Sequence, residues 1–464
     1  MTWMKRISVV AWPIVLLVAT SWGQDVSSPP VPAFGPDTDV SPSELPYTEA
    51  LQPPIPVRGT QMPLAFSSDT ERSNFVMGSL RFAAGFDDNV LGTSSGHVSD
   101  MTYMVLPSVD IGQSRERWTW DFGYSPGFTM SQRLTQTNEA AQALHLLFAY
   151  RLSPHVTAQV RDNFEKTNSL FSGVMDTAVA GPGLLQQSNT SVVTPQADRT
   201  GNSSGVDLTY QAGANSLVGA SGYFYFVNYG RPASVTGQAY ALIDSRSEGG
   251  DGFYAHRFSN RHWLGLTYNF QRLLFDPGDR TDVNRALFFY SISGESPITF
   301  SIWAGPERTS SMIPGTSTPV NNPASSATGW NAATGAILSW QGRRTSFRVE
   351  YSRQTSDGGG LAQAVRLQGI DGEVRQRLSP RWTFSVGSGY GKNNPLNAAL
   401  GYPPYHSIRG NAGFEYVLTD TLQFGFHYGR DQLTYDYPSS VQLSSNRNRA
   451  WFSASYSFSR PLGR

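Results

Sequence analysis

Near the end of the chain, Phe452, Ala454, Tyr456 and Phe458 alternate with Ser453, Ser455 and Ser457. Successive side chains of an extended strand point to opposite faces, so this segment has one aromatic, apolar face and one hydroxylated face. The pattern recurs. Trp118, Trp120, Phe122 and Tyr124 alternate with Thr119, Asp121 and Gly123; Phe347, Val349 and Tyr351 with Arg348, Glu350 and Ser352. Trp382, Phe384 and Val386 alternate with Thr383, Ser385 and Gly387; Leu422, Phe424, Phe426 and Tyr428 with Gln423, Gly425 and His427; Val156, Ala158 and Val160 with Thr157, Gln159 and Arg161. Such segments fold where their two faces meet different surroundings. A two-sheet sandwich and a membrane barrel both meet that condition, so periodicity alone leaves both open.

Turns and aromatics favour the barrel. Short turns of similar chemistry recur at Arg151–Pro154, Arg257–Asn260, Arg377–Pro380 and Val417–Asp420, with Gln341–Arg344 and Ala212–Asn215 in the same role. Between them lie longer segments rich in Ser, Thr, Asn, Gly and Pro. Short turns at one end and long loops at the other mark an outer-membrane barrel. Tyr150, Tyr268, Tyr351, Tyr390, Tyr428 and Trp382 fall near strand ends, where amphipathic rings suit the membrane interface. The expected fold is all-β: a transmembrane antiparallel up-and-down β-barrel of about 18 strands, with 16 as the alternative because such barrels are even-numbered. The turns are expected to be periplasmic and the long loops extracellular. The strand at 364–378 has an apolar parity that slips near Gly369 and Gly372, a pattern expected of a bulge.

The N-terminus reads as an address. Lys5 and Arg6 precede the apolar run Ile7–Ala19, and Ser21-Trp22-Gly23 before Gln24 offers a cleavage site, so residues 1–23 are expected to be a signal peptide. The alternative is an uncleaved anchor helix. Ten prolines fall between Asp25 and Pro63. Proline removes backbone donors and fixes φ, so residues 24–72 are expected to be a disordered periplasmic lead-in to a barrel over 73–464. The 464 residues include no cysteine, which excludes thiolate metal sites and lipoprotein anchoring. Lys+Arg and Asp+Glu are 35 each, so the net charge is zero, which argues against a protein built to sit on nucleic acid or anionic lipid.

Charges inside apolar strands carry the functional expectation. Asp121, Arg161, Asp207, Arg348, Glu350, Arg366 and Glu415 stand at positions whose chain neighbours face lipid. An Arg or Lys on the lipid face costs about 2–4 kcal/mol at midplane, so alternation sends these residues to the lumen. Two readings stand: they line an aqueous pore, or they form cross-strand ladders in a blocked barrel. The segment from Lys166 to Ser204 is the longest loop; it either folds inward to constrict the lumen or is displayed at the surface. Residues 307–330 read as exposed coil, and Gly358-Gly359-Gly360 as a turn in a surface loop. His97, His145, His155, His256, His262, His406 and His427 show no metal-ligand spacing. No GxSxG elbow or phosphate loop stands out, so no cofactor, metal or catalytic residue is assigned and no enzyme is expected.

Four stretches, Ser247–Asn260, Ser339–Phe347, Ser356–Leu361 and Tyr456–Arg464, resemble uncharacterised outer-membrane β-barrel proteins of acidobacteria, from about residue 72 to the end. The resemblance implies the barrel and the outer membrane, but no activity. It also implies a partner, the barrel-insertion machinery, which reads a terminal aromatic residue; here Phe458 stands six residues before the end. The expected function is a porin-like passive channel for small polar solutes, in contact with outer-membrane lipid. The alternatives are a non-conducting structural or surface-binding barrel and, less favoured, a lipid hydrolase.

Overall fold

The computed structural model describes residues 74–168, 198–230, 242–276, 278–292, 297–313, 325–360, 363–397, 403–436 and 443–462. The signal peptide, the lead-in and residues 169–197 of the longest loop lie outside the described residues. The chain forms eighteen strands. In order they are β1 (Phe75–Asp87), β2 (Asp100–Ser114), β3 (Trp118–Ser131), β4 (Glu139–Ser153), β5 (Val156–Asn168) and β6 (Asp198–Gly213). There follow β7 (Ser216–Tyr229), β8 (Ser245–Arg257), β9 (His262–Phe275), β10 (Asp279–Ile292), β11 (Ile298–Ile313) and β12 (Ser325–Gln341). The last are β13 (Thr345–Ser356), β14 (Val365–Arg377), β15 (Trp382–Pro395), β16 (Tyr405–Val417), β17 (Leu422–Tyr435) and β18 (Leu443–Pro461).

Each strand pairs antiparallel with its chain neighbours, and β1 pairs with β18 from Phe75↔Pro461 to Asp87↔Arg449. The sheet therefore closes on itself and has no free edge, the condition for crossing a membrane with strands. The sandwich is excluded. Eighteen strands at about 4.8 Å spacing and about 40° tilt enclose a backbone cylinder roughly 36 Å across.

The alternation read from the sequence is the alternation of the wall. Leu80, Phe82 and Phe86 of β1, Leu264, Leu266 and Tyr268 of β9, and Phe452, Tyr456 and Phe458 of β18 are exposed on the outer face. Their neighbours Arg81, Thr267 and Ser455 turn inward, and Arg81 Nε donates to Ser455 Oγ at 3.0 Å. An apolar belt on the outside of a closed sheet is stable only in hydrocarbon, so this is a transmembrane β-barrel.

The structure differs from the sequence reading in several places, among them β5 and β6, which pair from Asn168↔Asp198 to Asp162↔Ser204 within and beside the segment read as loop. Residues 307–330 are not coil throughout: β11 runs to Ile313 and β12 begins at Ser325, as paired strands standing beyond the apolar belt, where polar composition hides strand periodicity. β14 has no bulge at Gly369 or Gly372; it pairs without a shift from Thr345↔Gln376 to Ser356↔Val365. Register shifts fall instead at turn ends, between Arg151 and Ser153 and between Gln211 and Gly213. The loop bearing Gly358-Gly359-Gly360 is not at the surface but buried. Finally, the inner face is not polar throughout. Leu217, Phe253, Ala255, Trp263 and Phe289 form a buried cluster near the turn ends of β7–β10, with Trp303 of β11 packed against it.

Candidate pore and its constriction

The inner wall is built on glycines. Side chains from flanking strands lie flat over them instead of projecting toward the axis. On β15 the inward positions include Ser385, Gly387 and Gly389. Over this strip β14 and β16 reach each other: Arg375 Nη2 lies 2.7 Å from Glu415 Oε2, and Arg409 Nη2 lies 3.0 Å from Asp371 Oδ1. A Cβ on Gly389 would stand 2.3 Å from Asp371 Oδ1, so no larger residue leaves that pairing intact. On β3, Gly123 does the same for Asp110 of β2 and His145 of β4. His145 Nε2 lies 2.9 Å from Asp121 and 3.8 Å from Asp110. The apolar part of the wall follows the same rule, with Phe253 over Gly219, Phe289 over Gly265 and Trp303 over Gly335.

The residues expected to line the lumen divide as follows. Arg161 and Asp207 meet at 2.6 Å between β5 and β6. Arg348 and Glu350 meet at 2.9 Å along β13. Asp121 bonds His145, and Glu415 bonds Arg375. All of these share the inner face. Arg366 is the exception. It pairs with Thr355 and shares the face of Gln368 and Ile370, which lower in β14 looks outward. The sequence reading turns it inward because its chain neighbours, Val365 and Leu367, are apolar. Asp110, Asp371, Arg375, Arg409, Arg285 and Glu307 belong to the inner wall and were missed. Each lies in a polar stretch where alternation is weak, or on a strand whose partner was needed to reveal it.

Accessibility divides the lumen along its axis. At β14–β16, Asp371 and Arg409 keep 53% and 35% of their side-chain surface in contact with solvent. At the loop end, Arg285 and Glu307 keep 7% and 1%, and Arg447 and Asp87 keep 4% and 1%. The wall at β14–β16 is wet; the loop end of the lumen is packed.

The packing comes chiefly from the tip of the β13–β14 hairpin. β13 pairs with β12 only as far as Arg353↔Thr334, while β12 continues to Ser325 against β11. Beyond Arg353 β13 parts from β12, while β14 stays paired with β15 as far as Val365↔Pro395, and the tip crosses the inner face of β10 and β11. The Thr355 N–H donates to Glu307 Oε2 at 3.0 Å and its hydroxyl to Glu307 Oε1 at 2.6 Å. Arg285 donates through Nε to Glu307 Oε2 at 2.7 Å, through Nη1 to Asn269 and Gln271, and through Nη2 to the Thr355 carbonyl. A β11 carboxylate and a β10 guanidinium thus replace the ladder partners the tip has left.

The tip then spans the lumen. Tyr405 of β16 donates its hydroxyl to the Gly358 carbonyl at 2.8 Å. The Ile243 N–H, just before β8, donates to the Gly360 carbonyl at 2.9 Å. Strands β7 and β16 stand on opposite sides of the ring, and Gly360 lies against the ring of β7 Tyr229. A Cβ on Gly360 would stand 2.7 Å from that ring, and its φ of +84° is one that side chains other than glycine's avoid. Residues Thr355–Gly360 are all buried, uncommon for a loop, and possible because their backbone groups find these partners. The β1–β2 loop adds to the packing: Val90 lies against Ala83, Met104 and Leu106, and Asn89 Nδ2 donates to the Asn446 carbonyl at 2.8 Å.

Among the described residues the hydrolase reading finds one hydrogen-bonded Ser–His pair. Ser216 Oγ and His256 Nδ1 are 3.0 Å apart where β7 and β8 meet the turns. They are a directly opposed cross-strand pair, and among the described residues no carboxylate pairs with His256. The third group that orients a catalytic histidine is missing from that arrangement.

The architecture is that of an outer-membrane-type β-barrel. No family model and no curated relative matches the chain. Solved structures do. OpdQ of Pseudomonas aeruginosa is similar at 11% identity over 83% of this chain and 99% of its own, with a TM-score of 0.42. OccAB4 of Acinetobacter baumannii matches at 10% identity over 85% and 100%, TM-score 0.42. The ferric citrate transporter FecA, in its unliganded form, matches at 7% identity over 83% and 79%, TM-score 0.42.

Proposed function

We propose that this protein is a passive diffusion channel of the outer membrane for small polar solutes, narrowed at its loop end by the β13–β14 tip. The observation that carries the reading is the solvent-exposed wall of paired charges below the tip, laid flat over β15 so that water and solutes share the axis. A polar inner wall inside a lipid-facing cylinder is what passage of polar solutes requires. Export by the N-terminal signal, the long loops facing outward, and insertion through the strand bearing Phe458 belong to the same proposal. No catalytic role is proposed. The test is purified full-length protein in planar bilayers. Stepwise conductance in salt is expected, and folded protein that never conducts ends the channel reading. The burial of Thr355–Gly360 favours a second reading, a barrel closed to solutes that acts through its loops. Silence in the bilayer supports that one.

A further inference from the structure

The outer wall of β8–β11 is asymmetric. Toward the turns its outward residues are Tyr254 and His256, Leu264, Phe288 and Tyr290, and Ile302, with no Lys or Arg among the strand positions. Toward the loops, four consecutive strands each turn one arginine outward: Arg246, Arg272, Arg280 and Arg308. Their places follow from strand parity. Arg246 pairs with Leu274, Arg272 with Asp282, Arg280 with Leu274 and Met312, and Arg308 with Asn284 and Trp330. Two strand carboxylates share this face, and Asp244 and Asp276 flank it where β8 begins and β9 ends. Glu248 lies 3.5 Å from Arg272, and Asp282 lies 2.9 Å from Arg272 and also pairs with Arg280. Arg246 and Arg308 are exposed and enter no ion pair among the described residues.

Guanidinium groups cannot lie against hydrocarbon without cost, so this row stands above the acyl chains. The aromatics beside it mark that boundary. Trp330 is exposed next to Arg308, Arg272 lies 5.6 Å over the Phe270 ring, and Tyr268 donates its hydroxyl to Asn284 at 2.8 Å. An aromatic rim with arginines just beyond it is matched to an amphiphile whose acyl chains lie on the apolar belt and whose anionic groups lie at the rim. Arg246 and Arg308 are left without a counter-charge among the described ion pairs, and the arginine fork pairs bidentately with phosphate.

We propose that the loop-end outer face of β8–β11 binds the phosphates of an anionic glycolipid of the outer leaflet, with Arg246 and Arg308 as the free ligands. Arg272 and Arg280 are held in place by Asp282 and Glu248. The proposal rests on the loops facing outward, as proposed above, and not on whether the barrel conducts.

The test is binding of lipid A to detergent-purified full-length protein, comparing the phosphorylated form with the enzymatically dephosphorylated one. The phosphorylated form is expected to bind about tenfold or more tighter, a preference that weakens as salt is raised. The variant R246Q/R308Q is expected to lose that preference, and R344Q, in a turn at the opposite end, to retain it. Equal affinity for the two lipid forms overturns the proposal. So does a double variant with the wild-type circular dichroism spectrum that binds like wild type. If the double variant misfolds, R308Q alone is read the same way. Bilayer conductance is measured separately, so a silent channel and an absent lipid site remain distinguishable results.

Discussion

Gly389 decides more about the lumen than any charged neighbour. Its missing Cβ lets Asp371 and Arg409 meet across β15, and a methyl group there would overlap Asp371 Oδ1. Gly389→Val is therefore expected to lift both side chains off the wall toward the axis. Single-channel conductance should fall, and the denaturant midpoint should drop by an amount corresponding to about 1–3 kcal/mol of overpacking. A variant with unchanged conductance would mean that these residues do not border the conducting path. The sequence showed Gly389 only as a small residue on a polar face. Its use depends on the two side chains that cross it, and these sit on other strands.

At the scale of the element, the β13–β14 hairpin carries the constriction. The root of its tip is held by a buried contact set, Glu307 with Arg285 and Thr355, and its far end by Tyr405 and the Ile243 N–H. Glu307→Gln leaves the Arg285 guanidinium buried without its counter-charge, at a cost of about 3–5 kcal/mol. The tip should detach, and conductance steps should grow while thermal stability falls. Glu350→Gln is the contrast. Its partner Arg348 lies on the same strand and both keep contact with solvent, so the loss should be about 1 kcal/mol or less, with little change in step size. Replacing Ser356–Ala364 with a two-residue hairpin turn should enlarge conductance as Glu307→Gln does, and equal steps in wild type and this variant would show that the tip does not limit passage. None of this was legible beforehand. Ser356-Asp357-Gly358-Gly359-Gly360 has the composition of a surface turn, and Glu307 sits in a stretch poor in apolar residues. A loop's composition reports its backbone freedom, not the side of the wall to which it bends.

For the molecule as a whole, both signs of charge line the interior and most are paired at short range. Paired charges leave little net field along the axis, so cations and anions should pass with nearly equal permeability. The reversal potential in a salt gradient should lie near zero; a large one of either sign would show an unpaired group at the narrowest point.

Local alternation determined that these segments are strands, where most of them run, and which side chains meet lipid. That information is held within each strand, because adjacent residues necessarily face opposite ways. It also placed Asp121, Arg161, Asp207, Arg348, Glu350 and Glu415 on the inner wall, whereas Arg366, set between apolar Val365 and Leu367, shares the opposite face of β14. Tertiary structure alone decided which inner charges pair, how they rest on glycines of a third strand, and that residues 355–360 cross from β13 toward both β7 and β16. Those outcomes bring together residues from about 40 to more than 100 positions apart in the chain, and no pattern of period two records that distance.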